Sequence, residues 1–188
     1  MGDAREAVAE HVALAGAIEQ MLPQVDELAR RLVSLYETGG RVYTFGNGGS
    51  AADAQHLAAE LVGRYKRERR PLAAQSLAVD PSAVTCIGND YAFDELFARQ
   101  VQAFARRGDV VIGFTTSGRS ANVVRGLAAA REAGATTVLF GGGDGTAAAE
   151  HADHALVVPS STTARVQEMH LLLLHLVIEQ VDAWAAGE

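Results

Sequence analysis

The sequence predicts an α/β domain built on a largely parallel sheet, and three observations carry the prediction. Two runs of strand composition, Arg41 to Phe45 and Asp109 to Phe114, each enter a loop rich in Gly, Ser or Thr and then a segment of helical composition. The second run, Asp109-Val-Val-Ile-Gly-Phe114, is apolar after its first residue, as in strands covered on both faces of a parallel sheet. A length of 188 residues with 48% hydrophobic content suffices for one sizeable core. A single domain over 1–188 is therefore expected, with leading helices in 1–38 and an α/β core in 41–188.

Taken in order, Val8, Val12, Ala15, Ile18 and Leu22 recur at helical spacing with Glu6, Glu10 and Glu19 between them. That pattern predicts an amphipathic helix over the first two dozen residues. Pro23 suits the first turn of a second helix, Gln24 to Thr38, which stops at Gly39-Gly40. Two helices ahead of the sheet either cover its edge or meet another copy of the chain. Arg41 to Phe45 is the first strand. It turns through Gly46-Asn47-Gly48-Gly49-Ser50 into an Ala-rich helix from Ala51. The glycines permit positive φ and close backbone approach, so loop amides, the first helical turn and the Ser50 hydroxyl can converge on a phosphate. Four residues apart on the same helix, His56 and Glu60 share a face.

Gly63 to Pro71 carries five basic residues and reads as a solvated loop, in which Arg64 and Lys66 lie nearest the helix and nearest any anion. Ala73 to Ala78 is the second strand, and Pro81 to Cys86 is a short helix or turn into a loop, Gly88-Asn89-Asp90. Asp90 reads equally as a ligand for a sugar hydroxyl and as an Asx-turn or cap. Asp94 to Arg106 is helical. After the Asp109 to Phe114 strand, Thr115-Thr116-Ser117-Gly118-Arg119-Ser120 opens the helix Ala121 to Glu132 and repeats the architecture of the first junction. Two such junctions at the carboxyl edge of a sheet can enclose one phosphate. Thr136 to Phe140 and Ala155 to Val158 supply two more strands around the Gly141 to Gly145 turn and a short helix, for about five strands in all. The chain ends in a helix, Ala164 to Trp184, whose middle, Leu171 to Ile178, is apolar on every side except at His175. Gln167 and His175, eight apart, can point toward one site, although a hydrogen-bonded core histidine fits equally.

Several function classes are excluded. A net charge of −7 argues against a surface that neutralises a nucleic-acid backbone. No apolar run is long enough to span a bilayer, the N-terminal residues lack a signal core, and the lone Cys86 forms no intrachain disulfide, so a cytoplasmic protein is expected. Gly46 to Ala51 also matches an alanine-ending dinucleotide fingerprint. The acidic residue that such a site places roughly 20 residues on falls here in the basic loop, and the hydroxyl-rich second loop suits a phosphate monoester better.

These residues resemble a known family. Gly46-Asn47-Gly48-Gly49-Ser50, Gln55-His56 with Glu60, Gly88-Asn89-Asp90, Thr116-Ser117-Gly118 with Ser120-Ala121-Asn122, and Arg165-Val166-Gln167-Glu168 with His175 are similar, nearly end to end, to the sugar isomerase (SIS) domain family. Within that family they resemble the bacterial phosphoheptose isomerases. The resemblance implies a doubly wound, mostly parallel five-stranded sheet with helices on both faces. It also implies a homotetramer using the leading helices, and isomerisation of sedoheptulose 7-phosphate. Zinc is implied at a site matching His56, Glu60, Gln167 and His175. Asn47, Gly48, Gly49, Ser50, Asn89, Asp90, Thr115, Thr116, Ser117, Ser120 and Gln167 are the expected substrate and phosphate ligands. Glu60 is the expected base moving a proton between C1 and C2, with His175 as its acid–base partner. Full-time metal ligation and free acid–base roles compete for Glu60 and His175. Two positions depart from the family pattern. Thr115 stands where a serine is common and Ala164 where an aspartate is common, the latter removing a candidate sugar ligand. Non-catalytic SIS proteins, which regulate by binding sugar phosphates or serve as scaffolds for a replication initiator, are the second reading. The presence of both Glu60 and His175 favours the enzyme.

Overall fold

The computed structural model describes residues 3–143 and 146–188. Five parallel strands lie in the order β2-β1-β3-β4-β5, with β1 at Val42–Gly46, β2 at Ala74–Ser76, β3 at Val110–Thr115, β4 at Thr136–Gly142 and β5 at His154–Val158. Among the described residues eight α-helices accompany them: α1 Ala4–Ala17, α2 Leu22–Glu37, α3 Gly49–Val62, α4 Pro81–Asp90, α5 Leu96–Phe104, α6 Ala121–Glu132, α7 Thr146–Ala149 and α8 Thr163–Ala186. One apolar cluster joins α1, α2, α3 and α8 to one face of the sheet, and a second joins α4, α5, α6 and α7 to the other. The fold is thus doubly wound.

The central strands β1, β3 and β4 are buried along nearly their whole length, which is why their sequence is apolar without alternation. The chain leaves β1 toward one face through α3 and leaves the adjacent β3 toward the other through α6. That divergence opens a crevice at the carboxyl ends of β1 and β3, where open parallel sheets bind their ligands.

Three sequence expectations change. Val8 and Val12 do not face the core: they are 64% and 63% exposed, and the buried residues are Leu14, Ile18 and Met21. A 3₁₀ turn, Ile18–Met21, interrupts the predicted long helix and rotates its phase. Gly88-Asn89-Asp90 is not a loop but the last turn of α4, whose N-terminus is capped by Asp80 through the amides of Ser82 and Ala83. The basic loop is not wholly solvated, because the Arg69 side chain has no exposure. The Gly141 to Gly145 turn is described only through Gly143, Gly141 and Gly142 belonging to β4; positions 144 and 145 lie outside the described residues. Among the described residues no helix is long and apolar enough to cross a membrane.

Candidate active site

At the crevice the first strand enters a loop whose glycines each have a separate reason. Gly48 holds φ at +56°, a region side chains avoid. A Cβ on Gly46 would meet the Ser50 carbonyl oxygen at 2.6 Å, and one on Gly49 would meet the Gln167 amide at 2.3 Å. Asn47 reaches across to Asn122 at the start of α6, and the two side-chain amides exchange hydrogen bonds of 2.8 Å in both directions. This pair locks the two loops together. Thr115, buried at the end of β3, sets its Oγ1 3.2 Å from the Ser120 hydroxyl and 3.5 Å from the Ser117 hydroxyl.

Together these loops line a cleft of about 310 Å³ formed by Asn47, Gly48, Gly49, Ser50, Phe114, Thr115, Thr116, Ser120, Thr163 and Gln167. Three helices, α3, α6 and α8, begin at this cleft, and none of them carries a side-chain cap hydrogen bond. Uncapped N-termini present amide N–H groups and the positive ends of three helix dipoles, each worth about 0.3–1 kcal/mol to an anion. Hydroxyls, amides and dipoles gathered in this way can receive an anion such as a phosphate.

Further along α3 a second group gathers. His56 Nε2 lies 3.1 Å from Glu60 Oε1 and 3.3 Å from His175 Nε2 of α8, with all three half-buried. One ligand atom from each lies within 4.8 Å of the others, a set that could hold a metal ion. The His175 pKa is lowered, first by burial and then by the neighbouring His56 charge, with Glu60 opposing. Two imidazoles and a carboxylate converging in this way fit a three-ligand metal site with an open fourth position. Tyr65 stacks on His175, the ring centroids 5.4 Å apart. Between cleft and cluster stands Asp53, on the α3 stripe Gly49–Asp53–His56–Glu60. Its Oδ2 is buried without a hydrogen-bond partner among the described residues, and burial pushes its carboxyl up to about 6 against the opposing charge of His56.

A SIS-domain family profile matches residues 8–142. The phosphoheptose isomerase of Aquifex aeolicus is 50% identical over 165 residues, 88% of this chain and 86% of its own. That of Paramagnetospirillum magneticum is 48% identical over 178 residues, 95% and 92% of the two chains. The solved structure of a phosphoheptose isomerase from Neisseria gonorrhoeae superposes with a TM-score of 0.90 at 40% identity, covering 95% of this chain and 96% of that one. The chain belongs to the phosphoheptose isomerases of the SIS-domain family.

Within the phosphoheptose isomerase fold, the expected phosphate ligands Asn47, Gly48, Gly49, Ser50, Thr115, Thr116 and Ser120 line one cleft. Ser117 stands at its rim, exposed, accepting the Arg119 N–H at 3.3 Å. Gln167 lines the cleft as well, with its amide against Gly49, and stands eight residues before His175 on α8, about 12 Å of helical rise. Asn89 and Asp90 are exposed at the end of α4. Asp90 borders a separate cleft of about 390 Å³ with Cys86, Tyr91 and Arg99. Arg64 pairs loosely with Glu68 at 4.0 Å, and Lys66 is held by Glu179 at 2.7 Å. Thr163, Asp53 and Tyr65 escape the sequence reading. Asp53 is legible in hindsight from its stripe spacing. Thr163 and Tyr65 come to the site only through the packing of α8.

Proposed function

We infer that this chain interconverts sedoheptulose 7-phosphate and a glycero-manno-heptose 7-phosphate by proton transfer between C1 and C2. The observation that carries this reading is the placement of an uncharged anion cradle and a His–Glu–His cluster along one helix. Gly49 and Ser50 start α3, and His56 and Glu60 follow two to three turns later, about 10 to 16 Å along its axis. An extended seven-carbon sugar phosphate fits that separation, with its phosphate in the cradle and its C1–C2 end at the cluster. Ser50, Thr116, Ser120 and the helix N-termini hold the phosphate, and the remote charge fixes the reacting carbons.

At the cluster, Glu60 takes a proton from C1 of the ketose, the C1–H pair becomes the C1–C2 double bond, and His175 protonates O2 to give a cis-enediol. His175 then takes the O1 proton and is restored, the enediol collapses to the C1 aldehyde, and the Glu60 proton returns to C2, completing the aldose with no net redox change. Zinc is the proposed cofactor. His56, Glu60 and His175 would hold it, and when bound it would polarise the carbonyl and hydroxyl oxygens, supplying at O1 and O2 what His175 supplies as an acid without it. The second carboxylate oxygen of Glu60 leaves that side chain able to serve as ligand and base. Gln167, the fourth candidate ligand, serves the cleft within one chain.

The deciding experiment incubates pure protein with sedoheptulose 7-phosphate in heavy water and follows the product by NMR. An aldose carrying deuterium at C2 is expected, and unchanged substrate overturns the assignment. Elemental analysis of the purified protein should find zinc, and metal-free protein at full rate would return the three residues to acid–base roles alone. A homotetramer is proposed as well, supported by the apolar pair Val8 and Val12 left exposed on α1. Light scattering should give four chains per particle, and a monomer at micromolar concentration overturns it.

A further inference from the structure

The basic segment between α3 and β2, Gly63 to Pro71, is fastened to one face of α8. His175, Glu179 and Asp182 fall at i, i+4 and i+7 and so share that face. Each engages the segment differently. His175 carries the Tyr65 ring, with 22° between the planes. Glu179 holds the Lys66 ammonium at 2.7 Å, and that ammonium sits 5.1 Å over the Tyr65 ring on its other approach. Asp182, with no exposure, accepts the backbone N–H groups of Tyr65, Lys66 and Arg67 at 3.4, 3.1 and 2.9 Å and the Arg69 Nε–H at 3.0 Å.

Arg69 extends the same network to α3. Its guanidinium donates to the carbonyls of Glu60, Leu61 and Gly63 at 2.5, 2.8 and 3.1 Å. Those are carbonyls of the helix end that bears Glu60, left open where α3 stops. One dehydrated carboxylate therefore fixes both the ring on His175 and the end of the helix carrying Glu60. Burying that charge is costly unless every lone pair is met, as it is here. A merely solvated loop would need no such anchor. Burial opposes ionisation of Asp182, but the N–H groups of Arg67 and Lys66, with the Arg69 guanidinium, hold its carboxyl below the usual range. The Tyr65 hydroxyl makes no hydrogen bond among the described residues, so its contribution is the face of its ring.

We propose that Asp182 and Tyr65 are positioning residues of the isomerase. Asp182 folds the basic segment into a clamp, and the Tyr65 ring in that clamp sets the plane of the His175 imidazole against His56 and Glu60. The proposal rests on the role given to His175 above. It is tested with Tyr65→Phe, Tyr65→Leu and Asp182→Asn, each checked for folding by circular dichroism. Sedoheptulose 7-phosphate kinetics and the His175 ring-proton NMR shifts are then measured for each.

Tyr65→Phe should stay within about twofold of the parent in kcat, because it keeps the ring. Tyr65→Leu should lose roughly tenfold or more in kcat with KM within about threefold, since misplacing a reacting group costs rate rather than binding. Its His175 ring protons should shift downfield as the aromatic face is withdrawn, and Asp182→Asn should reproduce both changes. Parent-like kcat and unmoved His175 resonances in Tyr65→Leu would overturn the proposal. So would equal losses in Tyr65→Phe and Tyr65→Leu, which would make the hydroxyl the agent. Should Asp182→Asn fail to fold, Tyr65→Leu decides alone. A parent inactive on sedoheptulose 7-phosphate overturns the reaction assignment instead, and the His175 resonances still decide the clamp.

Discussion

The cleft proposed for the phosphate and the His–Glu–His cluster share two helices, α3 and α8, but are made of different material. The cleft is backbone and hydroxyl: helix starts without side-chain caps, a Gly48 at positive φ, and the Asn47–Asn122 amide pair. The cluster is side chains from the bodies and last turns of two helices, with the Tyr65 ring of the basic segment stacked on His175. Helices elsewhere begin differently. Asp3 and Asp80 cap α1 and α4, while α2 and α5 continue from 3₁₀ turns. Where a ligand is to supply the negative charge, the protein has left the cap out. The cleft should therefore govern binding and the cluster should govern rate.

The largest effect expected is on rate. Glu60→Gln keeps the shape of the side chain and removes the base, so kcat should fall by about 10²- to 10⁴-fold with KM little changed. Steady-state kinetics with sedoheptulose 7-phosphate measures it. A variant within a few-fold of the parent rate would erase the distinction between the two regions and restore the non-catalytic reading.

The next effect separates stability from binding. Ser120 is the N-cap residue of α6, with extended backbone angles and no cap hydrogen bond from its side chain. Ser120→Asp supplies the missing cap and should stabilise the fold by about 0.5–2 kcal/mol in urea unfolding. The same carboxylate puts a negative charge in the cleft, where it repels the phosphate and removes a hydroxyl donor. KM should rise by about 10- to 100-fold with kcat retained at saturation, in line with the roughly 1.5–3 kcal/mol of a hydrogen bond to a charged group. A more stable protein with unchanged KM would move the phosphate elsewhere.

Much of the cleft was legible because its signals are local. Glycines at a strand end and Ser/Thr before a helix are read within six residues, and both junctions fall where the sequence puts them. The third helix start, at Thr163, could not be read there, since it joins residues more than a hundred positions earlier by the course of the chain over the sheet. The cluster was half legible. The i, i+4 spacing of His56 and Glu60 is local, but the contact of His175 with them depends on α3 and α8 lying side by side. The eight-residue spacing of Gln167 and His175 put both on α8, and the structure adds that Gln167 lines the cleft. Least legible was the basic segment, whose charges read as solvated because the partner of the buried Arg69, Asp182, is 113 residues away. The Val8 stripe misled for another reason. Its spacing is helical, but periodicity cannot say whether the apolar face meets its own sheet or something outside the chain.

The smallest effect concerns two histidines of α8 that differ only in surroundings. His175 is half-buried in the cluster, whereas His170 is fully buried in T-shaped contact with the stacked Phe114 and Phe140 rings, its Nε2–H donating to the Gly141 carbonyl at 2.9 Å. It pins the end of β4 beside the cleft. Burial lowers its pKa to about 4, only partly offset by that hydrogen bond, and its Nδ1 finds no partner among the described residues. In the unfolded chain it titrates near 6.5. Between pH 6.5 and 4 the unfolded state therefore holds a proton that the native state lacks, so stability rises with pH across that window. The contribution is fully present above pH 6.5 and is lost on acidification, by about 3 kcal/mol in all. His170→Gln keeps a donor for Gly141 and cannot titrate. Urea midpoints at pH 7, 6 and 5 should thus fall more steeply for the parent than for His170→Gln, the gap approaching about 1.4 kcal/mol per pH unit well inside the window. Parallel pH profiles would mean that His170 keeps its ordinary pKa in the fold, so that it would gain a proton below pH 6.5 as the unfolded chain does and put a positive charge beside the uncharged cradle at acid pH.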